Sequence, residues 1–157
     1  MNKTLKHLVP LLLLLALLLS ACGRKAPAHA DLQALYDRLE SEGKLPEMIV
    51  LNEKKVESYY GIDPGACRQL IVAMSDDGLR VDEIWLIETG SEKEAEALLA
   101  LAQSRIEQVC TENKDYLPDQ YAVAKDSQAL RVGSSVALFI SPEAKEMAEL
   151  FTKAFTS

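Results

Sequence analysis

Histidine, the side chain that most often activates a nucleophile, is almost absent from this sequence. The 157 residues include two histidines, His7 and His29, and both precede the region in which helix and strand patterns begin. A serine or cysteine nucleophile needs a neighbouring base, and imidazole is the usual one. The patterned region therefore offers no Ser-His or Cys-His pair, and it offers no histidine to a metal ion within one subunit.

Two other groupings have the residue types of catalytic or metal sites. Ser41 and Lys44 have the serine-x-x-lysine spacing of penicillin-binding proteins, but they straddle a predicted helix end instead of opening a helix. Four acids gather around a turn that contains a glycine: Asp76, Asp77, Asp82 and Glu83. Their spacing is not that of an EF-hand. We interpret them as a solvated hairpin tip, and we predict no metal or cofactor.

Four tyrosines are the candidate binding residues of the sequence: Tyr59, Tyr60, Tyr116 and Tyr121. A tyrosine offers a broad apolar ring with a polar tip, which suits a groove for peptide or glycan. The alternative is that these rings pack in the core and at its rim. A cleft that exposes at least two of the rings would favour the binding interpretation.

The first 21 residues have the three parts of an export signal. Two lysines precede an apolar run, Leu8–Leu19, and the small residues Ser20 and Ala21 follow it. Cys22 comes next, where the signal of bacterial lipoproteins places the cysteine that receives lipid and becomes the new N-terminus. The run is shorter than the about 20 apolar residues of a membrane-spanning helix. An uncleaved single-pass anchor and a secreted product without lipid are the alternatives.

A diacylglyceryl lipid on Cys22 is the predicted link to the membrane. One acyl chain binds a membrane only marginally, whereas two chains, at about 0.8 kcal/mol per buried CH₂, hold a protein firmly. Residues 22–30 comprise the lipidated cysteine and a short tether. The eight residues 23–30 reach at most about 26–29 Å when extended. We therefore expect the folded domain to lie close to the extracytoplasmic face of the cell membrane.

Composition limits the classes of partner. Removal of residues 1–21 takes away two lysines and no acid, so the formal charge changes from −7 to −9. An acidic protein repels nucleic acid, and we predict no nucleic-acid partner. Residues 31–157 have the length of a single domain and contain no internal repeat. A hydrophobic core of that size needs no disulfide or metal.

Cys67 and Cys110 are the cysteines left for the folded domain. An exported protein occupies a compartment that permits disulfides, so a bond between the two is one interpretation. Two separate buried thiols are the other, because free cysteine behaves as a small hydrophobe. Cys110 lies on the apolar stripe of its predicted helix, which favours burial.

Hydrophobic periodicity predicts helices and strands in the order α-α-β-β-α-β-β-α. Asp31 and Asn52 are expected to cap the first two helices. Ser91 and Glu94 form a capping box at the start of the longest helix. Gly133-Ser134 suits a type II′ turn in the second of two hairpins. The fold class is therefore α+β: a two-layer sandwich of about four mostly antiparallel strands, with helices packed on one face.

The predicted strands are short and are separated by turns. They cover four stretches: 68–74, 81–89, 129–132 and 136–140. The longest helix is expected to run to about Asn113, and 116–121 is expected to form an irregular link.

Several short stretches resemble a known family. They are Leu45-Pro46-Glu47-Met48, Tyr60-Gly61-Ile62-Asp63, Val81-Asp82-Glu83-Ile84, Arg105 with Gln108, and Tyr116-Leu117-Pro118-Asp119-Gln120-Tyr121. In this order they span nearly the whole predicted domain. They are similar to a family of small lipoproteins from Gram-positive bacteria, the domain of unknown function DUF4358. The resemblance implies a lipid-anchored extracytoplasmic domain, and it assigns no catalytic residue.

These observations favour a domain that works by binding at the membrane face, with another envelope protein or a wall ligand as its partner. Two other hypotheses stay open. A solute-binding accessory lipoprotein needs a concave pocket. A carboxylate-dependent cell-wall hydrolase needs two carboxylates that face each other across a cleft, one of them with a strongly shifted pKa.

Overall fold

The structure, a computed structural model, describes residues 29–156 and contains one antiparallel sheet with helices on both faces. The strands are β1 (Met48–Val50), β2 (Cys67–Ser75), β3 (Glu83–Thr89), β4 (Gln128–Val132) and β5 (Ser135–Ile140). The helices are α1 (Leu32–Ser41), α2 (Glu53–Tyr60), α3 (Glu92–Asn113), α4 (Pro118–Lys125) and α5 (Ala144–Ala154), with a 3₁₀ turn at Pro64–Ala66. None of the helices within 29–156 has the length and apolar character needed to cross a membrane.

The first two helices begin at the capping residues that the sequence predicts. The Asp31 carboxylate accepts a hydrogen bond from the amide of Ala34 at 2.9 Å. The Asn52 side chain accepts one from the amide of Lys55 at 3.0 Å. Gly61 ends α2 with a φ of 67°, a left-handed conformation that glycine adopts without a Cβ penalty.

The capping box of α3 and the turn between β4 and β5 are also confirmed. Ser91 Oγ accepts a hydrogen bond from the amide of Glu94 at 3.3 Å and donates to its Oε2 at 3.0 Å. The helix ends at Asn113, as predicted. Gly133 has a φ of 58°, and no described residue other than glycine has a positive φ, which fits a type II′ turn at Gly133-Ser134.

The sheet has the strand order β1-β2-β3-β5-β4, and its central strand β3 is buried along its whole length. Alternate residues of a strand face opposite sides of the sheet. Ile84 and Leu86 pack with α1 and α5, whereas Trp85 and Ile87 pack with α2, α3 and α4. The protein therefore has three layers, not the two-layer sandwich with helices on one face that we predicted. An almost uninterrupted apolar strand is typical of a sheet covered on both sides.

Two elements were missing from the prediction. The sheet has five strands, not about four, because β1 pairs with β2 at one edge. A strand of three residues is too short for alternation to reveal it. Helix α4 occupies the expected irregular link. Leu117 precedes it without a side-chain cap, and Ala124 is its one buried residue, so the sequence carries little helical signal there.

Candidate functional site

A cavity of about 250 Å³ opens at one end of the sheet, between α3 and the loop that joins β2 to β3. Its lining is rich in charge and includes these residues: Arg80, Asp82, Glu83, Arg105 and Glu112. The loop brings Arg80 and Asp82 to the cavity, the first residue of β3 is Glu83, and the C-terminal half of α3 brings Arg105 and Glu112. This cavity is the candidate functional site.

An ion pair between Glu83 and Arg105 forms the floor of the site. Arg105 donates through Nη2 to Glu83 Oε2 at 2.8 Å and through Nε to both carboxylate oxygens, at 3.2 and 3.1 Å. Trp85 Nε1 donates to Glu83 Oε1 at 2.8 Å. Strand alternation explains the second contact, because residues two apart in β3 face the same side of the sheet. The carboxylate of Glu83 is therefore buried and fully engaged by N–H donors.

Tyr60, at the end of α2, covers the Arg105 guanidinium. The ring centroid lies 5.6 Å from the guanidinium carbon, within the range of a cation–π contact. The same ring meets Trp85 edge-on, with centroids 4.8 Å apart. Burial and then the charge of Glu83 raise the pKa of Tyr60. Burial opposes the charge on Arg105, but its hydrogen bonds to Glu83 outweigh that cost, and the pKa of Arg105 is raised.

A second ion pair, between Arg80 and Asp82, lies within the loop. Arg80 Nε donates to Asp82 Oδ2 at 2.9 Å, and Nη2 donates to Oδ1 at 3.1 Å. The hydrogen bonds to Asp82 raise the pKa of Arg80. The amide of Val81 donates to the side chain of Gln120 at 3.0 Å, which ties the loop to α4. Both arginines are thus held in place by carboxylates behind them.

The prediction of a solvated hairpin tip was wrong for two of its four acids. Asp82 and Glu83 are buried, and each is bound by its own arginine. Asp76 and Asp77 are exposed, as expected. Within 29–156, no group of three or more histidine, cysteine or acidic residues is arranged to hold a metal ion.

The chain enters the domain at the other end of the sheet. Gln69 on β2 donates to the carbonyl of Ala30 at 2.9 Å, accepts from the amide of Leu32 at 2.9 Å, and donates to Glu88 Oε2 at 2.6 Å. His29 Nδ1 lies 3.2 Å from the same carboxylate oxygen. His29 therefore already contacts the sheet. We call these residues the entry clamp.

The entry clamp and the cavity occupy opposite ends of β3. Glu88 belongs to the clamp and Glu83 to the cavity, and five residues of extended strand span about 17 Å. The helix that follows β3 runs back along the sheet, so the C-terminal half of α3 also lies at the cavity end.

The four candidate tyrosines differ in their surroundings, and Tyr59 and Tyr60 contact each other, with ring centroids 6.3 Å apart. Tyr59 and Tyr116 are exposed, Tyr60 packs on Trp85, and Tyr121 lies 5.8 Å from the ammonium of Lys125. None of the four is among the described residues that line the cavity. Of these rings, only Tyr60 contributes to the site, and it does so by holding Arg105.

Cys67 and Cys110 lie at opposite ends of the sheet and are free thiols. Cys67 pairs with Thr89 at the clamp end, whereas Cys110 follows Val109 of the cavity lining. The structure therefore corresponds to the alternative of separate thiols. Burial raises the pKa of both thiols. The predicted lipidation residue, Cys22, lies outside the described residues.

Arg80 was not singled out by the sequence, and neither was its pairing with Asp82. Tyr60, Glu83 and Arg105 did carry a signal, because each belongs to a stretch that resembles the family. A short motif can single out a residue but does not show what that residue contacts. Here the contacts are between residues of α2, β3 and α3.

The comparison with family models supports the family part of that resemblance. A family model described as a domain of unknown function, DUF4358, matches residues 41–141. The matched region includes both ion pairs of the cavity. No curated protein and no solved structure matches the chain.

Proposed function

We propose, from the premise that the chain belongs to the DUF4358 family, that it is a lipid-anchored protein of the extracytoplasmic membrane face that acts by binding. One observation carries this proposal: the charged cavity and the entry clamp lie at opposite ends of the same strand. A domain tethered at one end offers the other end to its surroundings.

The short tether supports this arrangement. Because His29 already contacts the sheet, six residues, 23–28, separate it from Cys22. Six extended residues reach at most about 20–22 Å. A lipid on Cys22 would therefore keep the clamp end near the headgroups, and the cavity would face away from the bilayer.

The ion pairs of the cavity support binding over catalysis. A carboxylate-dependent hydrolase needs one acid that donates a proton and a second that faces it. In this cavity, Asp82 and Glu83 are each held by N–H donors of an arginine instead. Charged side chains whose positions are fixed by such ion pairs are suited to the recognition of a ligand.

A solute-binding accessory lipoprotein is the second candidate, and the cavity itself favours it. Ligand sites for drug-sized molecules typically enclose about 300–1,000 Å³. The cavity of about 250 Å³ lies just below that range, so its occupant would be a small solute or one group of a larger partner.

Membrane fractionation of a Cys22→Ala variant tests the anchor. We expect the wild-type protein in the membrane pellet and the variant in the soluble fraction. Cys67→Ala is the matched control, because it removes a cysteine without removing the lipid, and it should stay in the pellet. A Cys22→Ala protein that remains in the membrane, or a wild-type protein whose mature chain begins at Met1, would refute lipid anchoring.

Photo-crosslinking in living cells tests the binding role. Leu79 is exposed in the loop at the cavity, and Gln33 is exposed on α1. A photoreactive residue at position 79 should give a defined adduct by mass spectrometry that position 33 does not give. Identical adduct patterns at the two positions would count against a binding site at the cavity end.

A further inference from the structure

We propose that the cavity binds a small anion, a molecule with a carboxylate or phosphate group, through the guanidinium groups of Arg80 and Arg105. The proposal rests on the binding role proposed above and names the class of ligand. Nothing in the sequence pattern assigns such a site.

The first support is the set of donors that the ion pairs leave unused. Arg80 and Arg105 each contact their carboxylate through Nε and Nη2, the side edge of the guanidinium. Among residues 29–156, Nη1 of neither arginine has a hydrogen-bond partner. A guanidinium carries five N–H donors, so both arginines keep their end edge available to a ligand.

The second support is the difference in exposure within each pair. The side chains of Asp82 and Glu83 are 2% and 3% exposed, whereas those of Arg80 and Arg105 are 38% and 20% exposed. In each pair the carboxylate is shielded from solvent and the guanidinium group is the more accessible partner. The accessible polar atoms of the two pairs are therefore the N–H donors of the arginines. A complementary ligand must therefore supply acceptor oxygens.

The third support is that the donors are already oriented. Glu83 holds Arg105 from one side, and the ring of Tyr60 covers it. Asp82 holds Arg80 in the same way. A fixed guanidinium loses little side-chain entropy on binding, and its planar fork matches a carboxylate or phosphate. The arrangement therefore presents oriented N–H donors that suit the oxygens of a carboxylate or phosphate group.

Glu112 sets a limit on the ligand. It lines the same cavity, it is exposed, and it accepts a hydrogen bond from Gln108 at 2.8 Å. Among residues 29–156 no arginine forms an ion pair with it, and its negative charge, which also acts on Arg105, opposes an incoming anion. We therefore expect Glu112→Gln to strengthen anion binding, whereas a site for cations would be weakened by the same change.

The test uses the full mature protein in non-ionic detergent. Inorganic phosphate and succinate are the probes, and potassium chloride at matched ionic strength is the reference. We expect one or both anions to raise the melting temperature and to bind in calorimetry. The double variant Arg80→Gln/Asp82→Asn removes a whole ion pair, so no lone charge stays buried. It should bind about tenfold more weakly or worse.

Arg38→Gln is the matched control, because Arg38 pairs with Glu42 on the exposed face of α1, away from the cavity. It should leave binding unchanged. A response to phosphate alone identifies a phosphate-bearing ligand, and a response to succinate alone identifies a carboxylate-bearing one. The proposal fails if neither anion exceeds the chloride reference, if the double variant binds like the wild type, or if Arg38→Gln is equally weakened. Membrane retention and the crosslink at position 79 do not depend on this result. If both are observed but neither anion binds, the proposal of an anion ligand is rejected and the proposed binding role stands.

Discussion

Arg105 on α3 and Glu83 on β3 are joined by a fork of hydrogen bonds, the shortest of which spans 2.8 Å between Nη2 and Oε2. The pair links the longest helix to the central strand at the floor of the cavity. Both side chains are largely withdrawn from water, so the pair is costly to break from one side even where its net contribution to stability is small.

Arg105→Met should destabilise the protein strongly. The substitution keeps much of the apolar stem but leaves the buried Glu83 carboxylate without its counter-ion. Loss of one partner of a buried ion pair costs about 3–5 kcal/mol. Urea unfolding followed by circular dichroism measures this change in the free energy of unfolding.

Two further variants show whether the loss of stability comes from the unpaired charge of Glu83. Arg38→Met breaks an exposed pair on α1 and should cost about 1 kcal/mol or less. The double variant Arg105→Met/Glu83→Gln should recover a large part of the loss, because it removes the lone charge. A double variant as unstable as Arg105→Met would show that the damage comes from lost packing and not from the charge.

Gln69→Ala should loosen the entry clamp. The Gln69 side chain forms hydrogen bonds with the backbone of Ala30 and Leu32 and with the carboxylate of Glu88. Loss of these hydrogen bonds should cost about 1–3 kcal/mol and should speed amide exchange at the start of α1. Hydrogen exchange with mass spectrometry measures the second effect. Gln33→Ala removes an exposed side-chain contact on the same helix, and equal protection in the two variants would contradict the clamp.

Local signals in the sequence were enough to locate most of the helices and strands. The buried face of α1 consists of the expected residues, Leu32, Leu35, Tyr36 and Leu39, because helical spacing and the Asp31 cap act within a few positions of each other. The two hairpins are likewise present, since each depends on a turn and its adjacent strands.

The site depended on contacts that no local pattern contains. Glu83 follows a turn, and acids at turns are usually solvated. It is buried here, and its ion-pair partner is Arg105, 22 positions away, which α3 carries back across the sheet. The prediction of two layers was wrong for a similar reason. The run Ile84–Ile87 is apolar on both faces, but only the packing of α1 and α5 opposite α3 shows that both faces are covered.

Tyr36→Phe should leave stability near neutral pH unchanged or raise it by up to about 1–2 kcal/mol. The Tyr36 hydroxyl is buried and has no hydrogen-bond partner among the described residues, so its removal relieves an unsatisfied polar group. Tyr116→Phe, at an exposed ring, controls for the change in chemistry. Urea unfolding of the three proteins makes the comparison, and a loss above about 1 kcal/mol for Tyr36→Phe would contradict it.

The same variant should behave differently in alkali. Burial, followed by the charges of Glu40 and Asp37, raises the pKa of Tyr36 from 10.0 to about 12. Folding therefore favours the neutral phenol, and this contribution to stability is present below pH 10 and is lost as the pH rises from 10 to 12. Over that interval, the wild type should lose more stability than Tyr36→Phe. If the wild type and Tyr36→Phe lose the same amount of stability, the Tyr36 hydroxyl is exposed to water and the prediction is wrong.

Alkylation of the mature protein should reveal two thiols without any reductant. Cys67 and Cys110 are free, and burial raises the pKa of each, which keeps the reactive thiolate scarce in the native state. We expect slow labelling of the folded protein and two adducts in the intact mass after denaturation. Cys67→Ser should give one adduct. If no adduct forms until a reductant is added, the cysteines are bonded, whereas a third adduct would mean that Cys22 carries a free thiol and no lipid.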